Sequence, residues 1–136
     1  MPVEICRRFD AEPGSVGEAR RLLLEVEDCM VPAAFESLQL VVSELVTNVI
    51  RHSRLGKEAW IGVRVTVSEA AVRGEISEPT GGFEVPQVSA PAPDRAPGGW
   101  GLYLVDRSVD RWGVVREESS RVWFEIDLPD RTGEGS

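Results

Sequence analysis

The segment from about Ala33 to His52, AAFESLQLVVSELVTNVIRH, carries the longest helical periodicity in the chain. Leu38, Val42, Leu45 and Val49 recur every three to four residues and align as one apolar stripe. A stripe of that length has to be covered by a broad apolar surface. The neighbouring segments offer one, because they alternate as strands do. Residues 3–9 (VEICRRF), 60–67 (WIGVRVTV) and 71–77 (AVRGEIS) have the period and β-branched content of strands, and the polar link at Ser68 and Glu69 predicts a hairpin between the last two.

Between the first strand and the long helix, Ser15 followed by Glu18 is a capping-box pattern. Ala19, Leu22, Leu23 and Val26 then predict a helix up to about Cys29, with Pro32 closing the turn. After residue 77 comes a stretch from Glu78 to Gly99 with five prolines, which excludes a helix interior or a central strand. Loops of this length in a small domain are usually lids or links. Beyond it, Leu102, Leu104, Val105 and Val109 predict a short helix ended by Gly113. Two closing strands, GVVREE and RVWFEIDL, follow, joined around Ser119 and Ser120. The order β-α-α-β-β-loop-α-β-β predicts an α+β two-layer sandwich, a mostly antiparallel sheet covered on one face by helices. One domain over residues 1–136 is expected, with a lid at about 79–99 and a frayed tail at 130–136.

The chain has 136 residues, 42% hydrophobic and 28% charged, enough for one core without covalent staples. No apolar run that would span a membrane is read from the sequence, and no basic segment followed by an apolar one opens the chain, so a cytoplasmic protein is expected. Cys6 and Cys29 are then expected as free thiols. A net charge of −8 and the lack of a basic run with interleaved aromatics disfavour direct nucleic-acid binding. A phosphorylated small ligand stays open, because backbone N–H groups and a cation hold phosphates whatever the global charge.

Two groups of residues carry possible chemistry. On the long helix, Glu44, Thr47, Asn48 and Arg51 cluster away from the apolar stripe, and Glu44 and Asn48 share a face. They form either the solvated side of the helix or, since Leu40, Val41 and Ile50 leave few polar positions, a strip lining a cavity. In the second case the amide oxygen of Asn48 suits a hard cation such as Mg²⁺, and Glu44 suits proton acceptance from a hydroxyl or water. His52 reads as a helix-end cap more readily than as a ligand. The second group is GGWGL, where Gly98, Gly99 and Gly101 precede a helix. It is either a pliant start to that helix or a place where backbone N–H groups receive phosphate oxygens. It is neither a P-loop nor a dinucleotide fingerprint. Asp106 and Asp110, beside Arg107 and Arg111, read as a solvated charged face. Trp60, Trp112, Trp123 and Phe124 read as core or sheet-packing residues.

Taken in order, ELVTNVIRH, the strand ending at ISE, GGWGLYLVDRSVDRWG and VWFEIDLP resemble the bacterial anti-sigma-factor kinases of the GHKL (histidine-kinase-like) ATPase superfamily. The likeness runs from the first strand to Pro129. It implies a Bergerat-type pocket for ATP and Mg²⁺ between helices and sheet, closed by the loop between the motifs. It further implies Glu44 as general base, Asn48 as Mg²⁺ ligand, and Gly99 and Gly101 at the phosphates, with Glu78, Gly82 and Leu102 also against the nucleotide. The implied partners are a sigma factor or a small anti-sigma-factor antagonist phosphorylated on serine or threonine, and a homodimer is expected by analogy. Two positions depart from the family pattern. Glu78, followed by Pro79, stands where an aspartate usually accepts the adenine amino hydrogen, and Arg121 aligns where many relatives place a threonine near the base. These departures keep open a non-catalytic binding module on the same fold. The ATPase end of a split sensor kinase is a third reading, disfavoured because no dimerisation helix with a phosphorylatable histidine precedes the domain.

Overall fold

Pro32 opens the long helix, where its missing N–H is no loss, and the N–H groups of Ala34 and Phe35 both donate to the Val31 carbonyl at 3.1 Å. The computed structural model describes residues 2–52, 60–79, 101–116 and 119–129. In chain order these form β1 (Val3–Asp10), α1 (Gly14–Leu23), a 3₁₀ segment (Leu24–Cys29), α2 (Pro32–His52), β2 (Trp60–Val67), β3 (Ala71–Glu78), α3 (Gly101–Ser108), β4 (Arg111–Arg116) and β5 (Ser120–Asp127). The five strands make one sheet in the order β1-β2-β3-β5-β4, with every pairing antiparallel. The expected α+β two-layer architecture is the one observed.

Leu38, Val42, Leu45 and Val49 are buried, together with Phe35, Val41 and Val46 of the same helix. They meet the strand residues whose side chains point to the helices: Ile61, Val63 and Val65 of β2, Val72 and Ile76 of β3, and Val122, Phe124 and Ile126 of β5. Each such side chain contributes about 1.5–3 kcal/mol by leaving water. By length and composition α2 is apolar enough to cross a membrane, contrary to the reading of the sequence. Here its apolar stripe is turned onto the sheet, and half of that stretch is buried inside the fold.

Gly74 makes room for Phe124, the largest of the fully buried side chains. It stands directly opposite Phe124, and a Cβ at Gly74 would fall 2.2 Å from the ring. The ring therefore covers β3 where a side chain would otherwise stand.

Several local expectations need correction. The Ser15 hydroxyl does not cap α1 but donates to the Asp10 carbonyl, tying the end of β1 to the helix, because Pro13 occupies the cap position. The helix ends at Leu23 and continues as 3₁₀ to Cys29. Gly113 does not end α3. It lies within β4, opposite Trp123, whose indole approaches a Cβ placed there to 2.8 Å. Asp106 and Asp110 are not merely solvated. Asp106 accepts from Trp112 Nε1 at 2.8 Å, and Asp110 accepts from the Asp127 backbone N–H at 2.7 Å, so both fasten α3 and its following turn to the β4–β5 hairpin.

On the face away from the helices, Glu125 accepts from Arg111 Nε at 2.8 Å and from Arg73 at 2.9 Å. The two guanidinium groups, Arg111 first, hold its carboxyl below the ordinary 4.5. A carboxyl lowered by folding stabilises the fold above its unfolded value and loses that contribution as pH falls through the folded value. Glu125→Gln should therefore lower the melting temperature most above the ordinary carboxyl value, with the gap to the parent protein closing as pH falls below it. A gap independent of pH would show that ionisation of Glu125 is not what stabilises. Gly74→Val should cost about 1–3 kcal/mol in urea unfolding by overpacking Phe124, and an unchanged midpoint would contradict the close approach.

Candidate functional site

Strand alternation sorts the chemistry-bearing residues onto two faces. On β3, Val72, Gly74, Ile76 and Glu78 face the helices, while Arg73, Glu75 and Ser77 face away. On β5, Ser120, Val122, Phe124 and Ile126 face the helices, while Arg121, Trp123, Glu125 and Asp127 face away. Glu78 is directly opposite Ser120 in the β3–β5 register. Both are buried, Glu78 at 7% exposure and Ser120 at 0%, so two polar side chains lie side by side at one end of an otherwise apolar surface. Burying a carboxylate and a hydroxyl without polar partners would cost several kcal/mol, and neither Glu78 nor Ser120 is without one.

Above this surface lies α2, which packs on both β3 and β5, and α3 packs against α2. Glu44 and Asn48 are half-buried on α2, one turn apart, while Leu45 and Val49 next to them are buried. Among the described residues, neither Glu44 nor Asn48 makes a side-chain hydrogen bond or ion pair. Their neighbour Thr47 is different, its hydroxyl donating to the Ser43 carbonyl at 2.7 Å inside the helix. The two residues thus keep their hydrogen-bonding capacity in a setting that only half exposes them to water.

Gly101 is the first residue of α3 rather than lying before it. Gly82, Gly99, most of the expected lid and the side chains of His52 and Leu102 lie outside the described residues. Among the described residues no group of three or more histidine, cysteine, aspartate or glutamate side chains could hold a metal ion. An Mg²⁺ ion at Asn48 would therefore depend on ligand phosphates and water for most of its shell, as this ion commonly does.

Arg121 is the main correction at the site. It pairs with Ser77 and points to the sheet face opposite the helices, with its Nε 3.6 Å from Glu75. It cannot stand beside the base in a pocket on the helix side. The residue that does face that side is its neighbour Ser120, which sequence reading missed. The register could have found it: once Phe124 is taken as core, alternation puts Val122 and Ser120 on the same face.

The match to known proteins agrees with this fold. Residues 9–126 match the family model of the histidine kinase-like ATPase domain. No curated protein matches significantly. Among solved structures, the RsbU and RsbW domains of Rv1364c from Mycobacterium tuberculosis share the fold, with a TM-score of 0.67 at 16% identity. The alignment covers 96% of this chain and 34% of that one, so the chain spans about a third of that protein's length. With the family model covering most of the chain and the open antiparallel sheet carrying its helices on one face, the chain belongs to the histidine kinase-like ATPase family.

Proposed function

We propose that the chain is an ATP-dependent regulatory protein kinase of the anti-sigma-factor type. It would bind ATP between α2 and the helix-facing ends of β3 and β5, and phosphorylate a serine or threonine of a small antagonist protein, or hold a sigma factor. The observation that carries the reading is the pair of buried polar residues Glu78 and Ser120, set side by side on the surface that α2 covers. Glu78 accepts from the adenine amino group, and the Ser120 hydroxyl supplies a second polar contact there. The family match supports nucleotide binding, and the RsbW domain named in the similar structure supports the anti-sigma setting.

In this reading Asn48 would hold Mg²⁺ together with phosphate oxygens, and the ion would supply charge neutralisation at the phosphates. Glu44 takes the proton of the partner's hydroxyl as its oxygen attacks the γ-phosphorus. The bond from that phosphorus to the bridging oxygen breaks, and ADP leaves. The backbone at Gly101, opening α3, receives phosphate oxygens. Because phosphoryl transfer depends mainly on position and charge, small displacements at these residues would cost rate before affinity.

The non-catalytic alternative rested on Glu78 and Arg121. Arg121 lies on the far face and no longer counts for it, which leaves only the longer side chain at Glu78 and the proline after it. Titration with ATP and Mg²⁺ separates the two readings, and absence of binding at millimolar ATP would end the kinase proposal. Given binding, Glu44→Ala should reduce phosphate transfer to the antagonist by about 10²-fold or more while ATP affinity changes little. Transfer at the parent rate would remove Glu44 from the mechanism. Asn48→Ala should weaken Mg²⁺-dependent ATP binding, and unchanged affinity would refute the metal role.

A further inference from the structure

The face of the sheet turned away from the helices is strongly charged, but its two halves differ in how the charges are paired. Toward β4, Arg73 and Arg111 are held by Glu125 at 2.9 and 2.8 Å, and Arg111 also bonds Asp127. Toward β1, Arg64 approaches Glu4 only to 3.8 Å and Arg121 approaches Glu75 only to 3.6 Å. Those distances are too long for hydrogen bonds. Arg8 makes no carboxylate contact among the described residues. Its guanidinium lies 4.0 Å over the Trp60 ring, a stacking that leaves the in-plane N–H donors available.

These three arginines border one cavity of about 310 Å³. Its floor is low because Gly62 and Ser77 face each other across β2 and β3, and a Cβ at Gly62 would already fall 2.5 Å from Ser77 Oγ. Ser119 and Glu75 add to the polar lining, and Arg7 also borders the cavity. Three guanidinium groups against Glu75 and, beside Arg64, Glu4 leave a net positive charge around a small hollow. A phosphate group, with its several acceptor oxygens, can meet the donors of more than one guanidinium at once, which suits this hollow better than a single carboxylate does.

We propose that this hollow is a second ligand site, separate from the nucleotide site, that binds a phosphate group through Arg8, Arg64 and Arg121. The group comes either as inorganic phosphate or as a phosphate ester. The site lies on the opposite side of the sheet from Glu78 and Ser120, so it does not compete with ATP for space.

The test is an NMR titration of the full chain at low salt, with and without saturating ATP and Mg²⁺, following the arginine Nε–Hε signals. Inorganic phosphate, O-phosphoserine and succinate serve as probes. Phosphate or phosphoserine should shift the signals of Arg8, Arg64 and Arg121 along one saturable curve, equally with and without ATP. The tighter of those two identifies the source of the group. The combined substitution Arg64→Gln and Arg121→Gln should weaken that curve about tenfold or more while ATP affinity stays unchanged. Arg8→Gln, on the edge strand, should act in the same direction and serves if the double variant does not fold. No saturable shift at these arginines below about 100 mM phosphate, a curve unaffected by the substitutions, or tighter binding of succinate than of phosphate would overturn the proposal.

Discussion

Burial of the α2 stripe on β3 and β5 is the contact on which the rest of the structure depends. Leu38, Val42, Leu45 and Val49 fix the rotation of the helix about its axis, because no other rotation buries all four. That rotation in turn fixes where Glu44 and Asn48 stand, at the edge of the buried stripe and half shielded from water. The helix is thus both the main structural member of the core and the support of the candidate catalytic residues. A polar row built on a rigid core helix is held more closely than one carried on a loop, which suits chemistry governed by position.

The sheet applies a second constraint of the same kind. Successive residues on a strand point to opposite faces, so a single strand can serve two environments without compromise. On β3, Glu78 and Ile76 belong to the helix side, and Ser77 and Glu75 belong to the open side. On β5, Ser120 and Val122 belong to the first, and Arg121 and Trp123 to the second. The apolar side can therefore bury a few polar groups at its margin, as it does Glu78 and Ser120. The other side carries arginines, carboxylates and indole rings in water. Arg8 on Trp60 and Arg73 on Trp123, at 4.0 and 4.8 Å, show how the open face covers its aromatic surface with charge. The same charge protects a bare sheet face and the exposed β1 edge against unwanted pairing.

Much of this was legible in the sequence where periodicity is strong. The α2 stripe, the strand segments and the antiparallel two-layer arrangement follow from spacings of 3.6 and 2 residues. Glu44 and Asn48 could be placed on one helix face without coordinates, since that needs only the helical repeat. Arg121 and Ser120 could not be told apart by alignment to a motif alone. A shift of one residue along a strand reverses the face, and it is the burial of Phe124, carried back by alternation and matched by the pairing of Glu78 with Ser120, that decides it. Asp106, Asp110 and Ser15 were illegible for another reason. Their partners are Trp112, the Asp127 backbone and the Asp10 carbonyl, contacts set by how α1 and α3 meet the sheet, which local pattern does not encode. Gly113 was misread because a glycine after a helix usually marks its end, whereas here the indole of Trp123 needs the space.

The central claim is that the nucleotide lies on the helix side of the sheet, against Glu78 and Ser120. ATP dissociation constants for Ser120→Val and Arg121→Ala, two adjacent residues of β5 on opposite faces, test it most directly. The account predicts about tenfold weaker binding for Ser120→Val, from the loss of one buried polar contact, and no more than about a twofold change for Arg121→Ala. Loss of affinity in Arg121→Ala with Ser120→Val unaffected would put the nucleotide on the other face and contradict the account.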